Sequence, residues 1–208
     1  ENPSPSANKN FISLFFMKID IKELKQLMEG VVSSKYYSPE DARKIVEVLL
    51  YAELAGKNTQ GILKLLGTEP AQNIKPKYKS KIIKETELSV LIDGGGNAGP
   101  LSAQIATEKV IEIGLRKGVG VVGVNNTFLS AGAIGFYARK IAKNNLIGIV
   151  MANSPRTVLQ FGGIDPAYGT NPMAFGFPSM GNSIVFDMAA SAITWYGLVR
   201  AKALGEKL

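Results

Sequence analysis

The chain has 208 residues, 46% of them apolar and 20% charged, enough for one substantial globular unit or two small ones with a real core. It contains no histidine and no cysteine, which excludes disulfides, thiol catalysis, cysteine-based or histidine-based metal centres and imidazole acid–base chemistry; only oxygen-ligand metals stay open, and no metal site is expected. The net charge of +7 is uneven, with 14 basic residues against 12 acidic over 1–93 and 10 against 5 over 94–208, so the second half favours anionic partners.

Residues 1–16, "ENPSPSANKNFISLFF", read as an irregular extension, too irregular for a targeting peptide, with Met17 placed as an initiator would be. Residues 17–72 read as a small N-terminal helical subdomain. In "DIKELKQLMEG", Asp20 is the expected N-cap, Glu23 its capping-box partner and Gly30 the stop. In "SPEDARKIVEVLLYAELAG", Ser38 caps, Pro39 takes the first helical position, Glu40 and Asp41 oppose the helix dipole, and Gly56 ends the helix. The stretch "ELAGKNTQGILKL", residues 53–65, then sets Gln60 in a short polar loop between two glycines before apolar spacing resumes.

Residues 73–208 read as an α/β unit. The lysines at 75, 77, 79 and 81 alternate along "IKPKYKSKII", with Ile74, Tyr78 and Ile82 on the other face. An edge strand guarded by lysine is the favoured reading. A nucleic-acid groove would want aromatics and arginines on the lysine face, and these are missing. "ELSVLID" follows as a buried strand, "PLSAQIATEKVIEIGLRKG" as a helix, "VGVVGVN" as a strand, "GAIGFYARKIAKNN" as a helix and "LIGIVMAN" as a strand, with one more strand and helix in the tail. Apolar β-rich runs alternating with helices predict a layered α/β fold with a mixed or partly parallel sheet. No internal repeat is evident, and no apolar run is long enough to span a bilayer. Neither a membrane nor nucleic acid is an expected partner, and the cytoplasm is the expected location.

Between "LSVLID" and "PLSAQ", the segment "GGGNAG" satisfies G-x-G-x-x-G with Gly94, Gly96 and Gly99. One reading is a pyrophosphate cradle at a helix N-terminus. The other is a tight strand-to-helix turn, favoured because Pro100 already accounts for a turn and because the next strand ends in Asn125, Asn126 and Thr127, where a ribose-binding Asp or Glu would be needed. Asp187 to Ser191, "DMAAS", likewise reads either as a phosphate-receiving helix start or as a strand-to-helix cap by Asp187.

The segments "AELAGKNTQG", "LIDGGGNAGPLSA", "GVGVVGVNN", "GFYARKIAKNNLIGIVMAN", "YGTNPMAFGFP" and "VFDMAASAITWYGLVRAKALGEKL", in this order, make the chain resemble the type-2 malate/lactate dehydrogenase family. That non-Rossmann group of NAD(P)-dependent oxidoreductases also includes sulfolactate, ureidoglycolate and cyclic-imine enzymes. The resemblance implies NAD or NADP as cofactor, contacted by Asp187, Met188, Ala189, Ala190 and Ser191, a small 2-hydroxy or 2-oxo acid as substrate, and a homodimer. It implies that the aspartate-glycine turn is not a phosphate cradle, and that family chains run well past Leu208, so that this one reads as C-terminally truncated.

The departures from the family pattern are chemical. Where the family shows Asp-Ser-His-Gly, this chain has Asn58, Thr59, Gln60 and Gly61, and the family's downstream arginine becomes Lys64. The place of a second family histidine falls between Thr127 and Ser130. Candidate catalytic groups are therefore Gln60, Lys64, Thr127 and Ser130, with Lys64, Asn153, Thr170 and Asn171 on the substrate side. A lysine supplies the cation for a carboxylate, as a point charge without arginine's fork. A carboxamide orients a carbonyl or an oxyanion but releases no proton near neutrality, so the proton must come from water, from a lysine or through a hydroxyl relay. Trp195 and Tyr196 read as core packing in preference to a dimer contact.

Overall fold

The computed structural model describes residues 18–66 and 70–205, so the extension at 1–16 and Met17 lie outside the described residues. Helix α1, Ile21–Ser33, begins as the sequence predicts, with the Asp20 carboxylate accepting from the Lys22 and Glu23 amides at 2.8 and 3.4 Å. It does not stop at Gly30. Val32, fully buried against α2, carries the helix through the glycine, since packing of one face outweighs a glycine cost of about 1 kcal/mol. Helix α2, Pro39–Leu54, is capped by Ser38, whose hydroxyl accepts from the Asp41 amide at 3.1 Å, and the chain leaves it through Gly56 at φ +72°. A 3₁₀ turn at Asn58–Gln60, the single helical turn α3 at Leu63–Leu66 and a second 3₁₀ turn at Ala71–Asn73 follow.

Strand β1, Lys81–Glu85, pairs antiparallel with β2, Ser89–Asp93, and β2 pairs in parallel with β3, Val121–Asn125, with Ser89 opposite Val121 and Asp93 opposite Asn125. Helix α4, Gly99–Lys117, makes the crossover and ends on Gly118 at φ +82°. The edge strand is real but starts six residues later than the lysine alternation predicts. Residues 75–80 form no strand, because Lys77 and Tyr78 direct their amides to the Gly95 carbonyl and the Tyr78 hydroxyl donates to Asp93 at 2.9 Å. Ile82 is consequently half-exposed on β1 instead of buried.

A second sheet runs β4, Gly148–Met151, then β7, Met173–Phe177, then β8, Ile184–Met188, with every pairing antiparallel. Between β4 and β7 a small hairpin joins β5, Val158–Leu159, to β6, Pro166–Tyr168. Neither the hairpin nor β7 is foreseen from the sequence. Helix α5, Gly135–Ala142, lies on this sheet so closely that a Cβ at Gly176 would come within 2.2 Å of the Ala138 carbonyl oxygen. Helix α6, Trp195–Leu204, closes the described chain. The fold is a mixed α/β arrangement of two three-stranded sheets, one of them partly parallel, and not a closed barrel.

Met28, Val32, Ile45, Val46 and Leu49 of the N-terminal helices share one apolar core with Ala98 and Leu101 at the start of α4. Val48, on the other side of α2, packs with Ile134, Tyr137 and Ala138 of the α5 region. Helix α2 is therefore the element that sets the loop around Gln60 against both halves of the α/β region.

Candidate functional site

The glycine loop is a packed junction. The Gly94 amide donates to Asn125 O at 2.8 Å, Gly95 to the Asp93 carboxylate at 2.9 Å, Gly96 to Asn126 O at 2.8 Å and Gly99 to Phe128 O at 2.6 Å. The amides that a pyrophosphate would need are already satisfied within the protein. A Cβ at Gly94 would fall 2.7 Å from the Thr127 methyl group, and one at Gly99 2.7 Å from the Ser130 carbonyl oxygen, so glycine here serves close approach. Asp93 accepts from the Gly95 amide, from Asn126 Nδ2 at 2.7 Å and from the Tyr78 hydroxyl, and these bonds hold its carboxyl below the ordinary aspartate range, the amide contributing most.

The loop after α2 is held by Glu53. One carboxylate oxygen accepts from Asn58 Nδ2 at 2.5 Å and the other from the Ile62 amide at 2.9 Å. A Cβ at Gly61 would lie 2.2 Å from a Glu53 carboxylate oxygen and 3.1 Å from the Glu53 Cα, so glycine lets the loop pass close to the end of α2. So fixed, the Gln60 side-chain carbonyl accepts from the Ser130 hydroxyl at 3.2 Å. Of the two ends of the span from Thr127 to Ser130, the structure brings Ser130 to Gln60, while Thr127 packs on the glycine loop. Leu129, just before Ser130, adopts φ +63°, a left-handed backbone that costs a non-glycine residue about 1–3 kcal/mol, and its side chain packs on the N-terminal core.

Lys64 is 4% exposed, with its ammonium 3.2 Å from the centre of the Tyr196 ring. A cation over an aromatic face is stabilised by the ring quadrupole. Tyr196 thus packs on the predicted carboxylate-binding lysine; the Trp195 side chain lies outside the described residues.

Asp187, at the end of β8, does not cap the helix that follows it in sequence. Helix α6 begins at Trp195, with Thr194 accepting from the Gly197 amide at 3.1 Å, and Ser191 lies before that helix with its hydroxyl bonded to Ile193 O at 2.8 Å. The expected helix start at Ser191 is thereby corrected: the small residues Ala189 and Ala190 run in an open segment between β8 and α6. Asp187 instead accepts from the Gly135 amide at the start of α5, at 3.1 Å, and forms an ion pair with Lys57. Sequence reasoning passed over both Glu53 and Lys57. Glu53 lay inside a helix pattern, and the partner of Lys57 is 130 positions away.

Ser154 gathers the remaining candidates. Its hydroxyl sits 3.1 Å from the Thr170 hydroxyl and accepts from the Asn171 amide at 3.3 Å, while its own amide donates to Asn153 Oδ1 at 2.9 Å. The Thr170 carbonyl accepts from the Ala190 amide at 2.9 Å, which ties this group to the segment after β8. Asn171, at φ +38°, buries its side-chain oxygen with no hydrogen-bond donor among the described residues. A cleft of about 1040 Å³ opens between β3 and β4, with Thr127, Ser130 and Asn153 among its polar lining. Gln60, Lys64, Thr170, Asn171 and residues 187–191 do not line it. Among the described residues no cluster of carboxylates could hold a metal ion, and no helix is long and apolar enough to cross a membrane.

Two short sheets, a crossover helix and polar groups collected at the ends of β3, β4 and β8 define a mixed α/β protein of non-Rossmann type with its candidate site at strand ends. The chain belongs to the malate/L-lactate dehydrogenase family, whose profile matches residues 19–208. It is 32% identical to the ureidoglycolate dehydrogenase (NAD(+)) of Escherichia coli O157:H7 over 194 residues, 90% of this chain and 54% of the relative. It is also 32% identical to the L-sulfolactate dehydrogenase of Methanothermobacter thermautotrophicus over 199 residues, 92% of this chain and 57% of the relative. The crystal structure of malate dehydrogenase from Entamoeba histolytica superposes with a TM-score of 0.85 at 28% identity, covering 92% of this chain and 54% of that one. The chain spans about half the length of the curated relatives it matches.

Proposed function

We propose that the protein is an NAD(P)-dependent oxidoreductase that transfers a hydride between a nicotinamide cofactor and a small 2-hydroxy or 2-oxo acid such as malate or lactate. The observation that carries this reading is the hydrogen bond between Gln60, where the family pattern has a histidine, and Ser130, at the end of the span from Thr127 to Ser130 that holds the place of the second, on a loop that also leads to the buried Lys64. The names of the relatives support a hydroxy-acid substrate class. In this reading Lys64 receives the substrate carboxylate, Gln60 and Ser130 orient the carbonyl, and Asn153, Thr170 and Asn171 shape the pocket.

The cofactor fits what the segment after β8 offers. Beside Thr170, Asn171 presents a buried acceptor with no hydrogen-bond donor among the described residues, which suits an amide or hydroxyl of a nicotinamide nucleoside, and Ala189 and Ala190 allow close approach. Asp187, Met188, Ala189, Ala190 and Ser191 are the residues assigned to it, with NAD and NADP both admitted. When bound, the nicotinamide supplies or accepts the hydride. Action as a homodimer in the cytoplasm belongs to the same proposal.

Incubation with NADH or NADPH and a panel of 2-oxo acids, following the absorbance of the reduced nicotinamide, tests it. Oxidation with at least one acid is expected. The absence of histidine favours one rival, a non-catalytic relative that keeps dinucleotide or partner binding. Cofactor binding without turnover on any acid would establish that rival.

A further inference from the structure

We propose that Lys57 delivers the proton to the substrate oxygen, the part that imidazole cannot play in a chain without histidine. The inference rests on the oxidoreductase reading and names a residue that the family pattern did not bring forward.

Lys57 is fixed at three points. Its amide donates to Ala52 O at 2.8 Å at the end of α2, its carbonyl accepts from the Gln60 amide at 2.8 Å, and its ammonium is paired with Asp187. Asp187 is in turn bound to the Gly135 amide at 3.1 Å, and Gln60 to Ser130 at 3.2 Å. The short loop carrying Lys57 and Gln60 is thus fastened to both ends of the segment from Ser130 to Gly135. Lys57 thereby ties the loop that carries Gln60 directly to β8, the strand that leads into the segment assigned to the cofactor. The charged and titratable groups around the pair are Asp187 on β8, Tyr51 on α2, whose hydroxyl burial and Asp187 push above its ordinary pKa against the pull of Arg139, and Arg139 on α5.

The other polar groups do not supply a mobile proton as readily. Ser130 and Thr127 are hydroxyls that stay protonated near neutrality, Gln60 is an amide, and Lys64 is buried against Tyr196. The Lys57 side chain is 40% exposed and that of Asp187 12%, so the lysine reaches solvent while its partner is largely enclosed. In the step itself an N–H bond of the Lys57 ammonium breaks and an O–H bond forms on the substrate oxygen. The carbonyl π pair moves to that oxygen as the carbon accepts hydride from the reduced nicotinamide. The products are the 2-hydroxy acid, the oxidised nicotinamide and a neutral amine, which takes its next proton from water on the exposed side.

Two measurements test the assignment. The first needs no turnover: acylation of lysines in the full chain, read by mass spectrometry, should label Lys57, and NADH with oxamate, an unreactive 2-oxo acid isostere, should protect it at least tenfold while the exposed Lys75, which has no part in the proposed site, stays reactive. Unprotected Lys57 overturns the proposal. The second compares Lys57→Arg, which preserves the pair with Asp187 but does not release its proton, with Lys57→Ala. Both should lower kcat at least a hundredfold with NADH affinity kept, and small primary amines added to Lys57→Ala should restore turnover. Near-normal kcat in Lys57→Arg would reduce Lys57 to a structural tie and refute proton delivery, as would failure of amine rescue in a folded Lys57→Ala. Protection without any turnover in the unmodified protein would refute the oxidoreductase reading and proton delivery with it, whereas turnover with Lys57 unprotected would refute proton delivery alone.

Discussion

The Ser130 hydroxyl and the Gln60 side-chain carbonyl meet at 3.2 Å across 70 positions of sequence. This bond joins the loop after α2 to the segment that leads into α5. Replacing Ser130 by alanine removes the donor and leaves the Gln60 oxygen accessible to water. The bond is exposed, so unfolding in urea should change by no more than about 0.5–1.5 kcal/mol. If the pair orients the substrate carbonyl, kcat/KM for the preferred 2-oxo acid should fall at least tenfold, and kinetics unchanged within a factor of two would remove it from the site.

Lys64 provides a sharper kinetic contrast. A charge-assisted hydrogen bond to a carboxylate contributes about 1.5–3 kcal/mol, a factor of roughly 10 to 100 in affinity. Lys64→Met retains most of the packing against Tyr196 and removes the charge. Its apparent KM for the acid should rise by that factor with a smaller change in kcat, since the carboxylate is held in ground and transition states alike. A KM equal to that of the unmodified protein would contradict the carboxylate role.

The contact between α5 and the second sheet is a matter of space alone. A methyl group at Gly176 would meet backbone, the Ala138 carbonyl oxygen at 2.2 Å, and backbone cannot rotate aside. Gly176→Ala should destabilise the protein by about 1–3 kcal/mol, measured as a lower urea midpoint at constant slope. Gly181 in the β7–β8 turn has open space around its Cβ position and serves as control; Gly181→Ala should leave the midpoint in place.

The dependence of stability on pH follows from Asp93 and Tyr137. Hydrogen bonds from the Gly95 amide, Asn126 and Tyr78 lower the Asp93 pKa in the folded state. Its stabilisation is therefore present above the unfolded aspartate value of about 3.9 and is lost as pH falls through the folded one. Asp93→Asn should be less stable than the unmodified protein between about pH 5 and 8, with the gap closing on acidification. Tyr137 is fully buried, its hydroxyl donates to Ala131 O at 2.5 Å, and burial raises its pKa. Its contribution is complete below the unfolded tyrosine value of about 10 and fades above it. Urea unfolding followed across the pH range, with Tyr137→Phe flattening the alkaline limb, checks both ends.

The helix starts at Asp20 and Ser38 were legible because a cap acts within three residues of itself. The end of α1 was not, since whether Gly30 stops the helix depends on what Val32 meets beyond it. The alternating lysines described an edge strand correctly in kind and wrongly in place, because Gly95 takes the amides of Lys77 and Tyr78 that strand pairing would have used. Strand β7 was not foreseen, and its Gly176 is the point where α5 touches the sheet, a contact set by packing and not by local pattern.

By itself the sequence determined the family, the helical start followed by α/β alternation, and the absence of histidine from these 208 residues. These depend on composition and on motif order, both of which are local or additive. Tertiary structure alone decided which polar groups meet. It closed the amides of the glycine loop, brought Ser130 and not Thr127 to Gln60, turned Asp187 from the helix after it to the start of α5, and paired it with Lys57. Such pairings join residues up to 130 positions apart, and a contact of that range is set by how sheets and helices pack, which no local pattern of residues encodes.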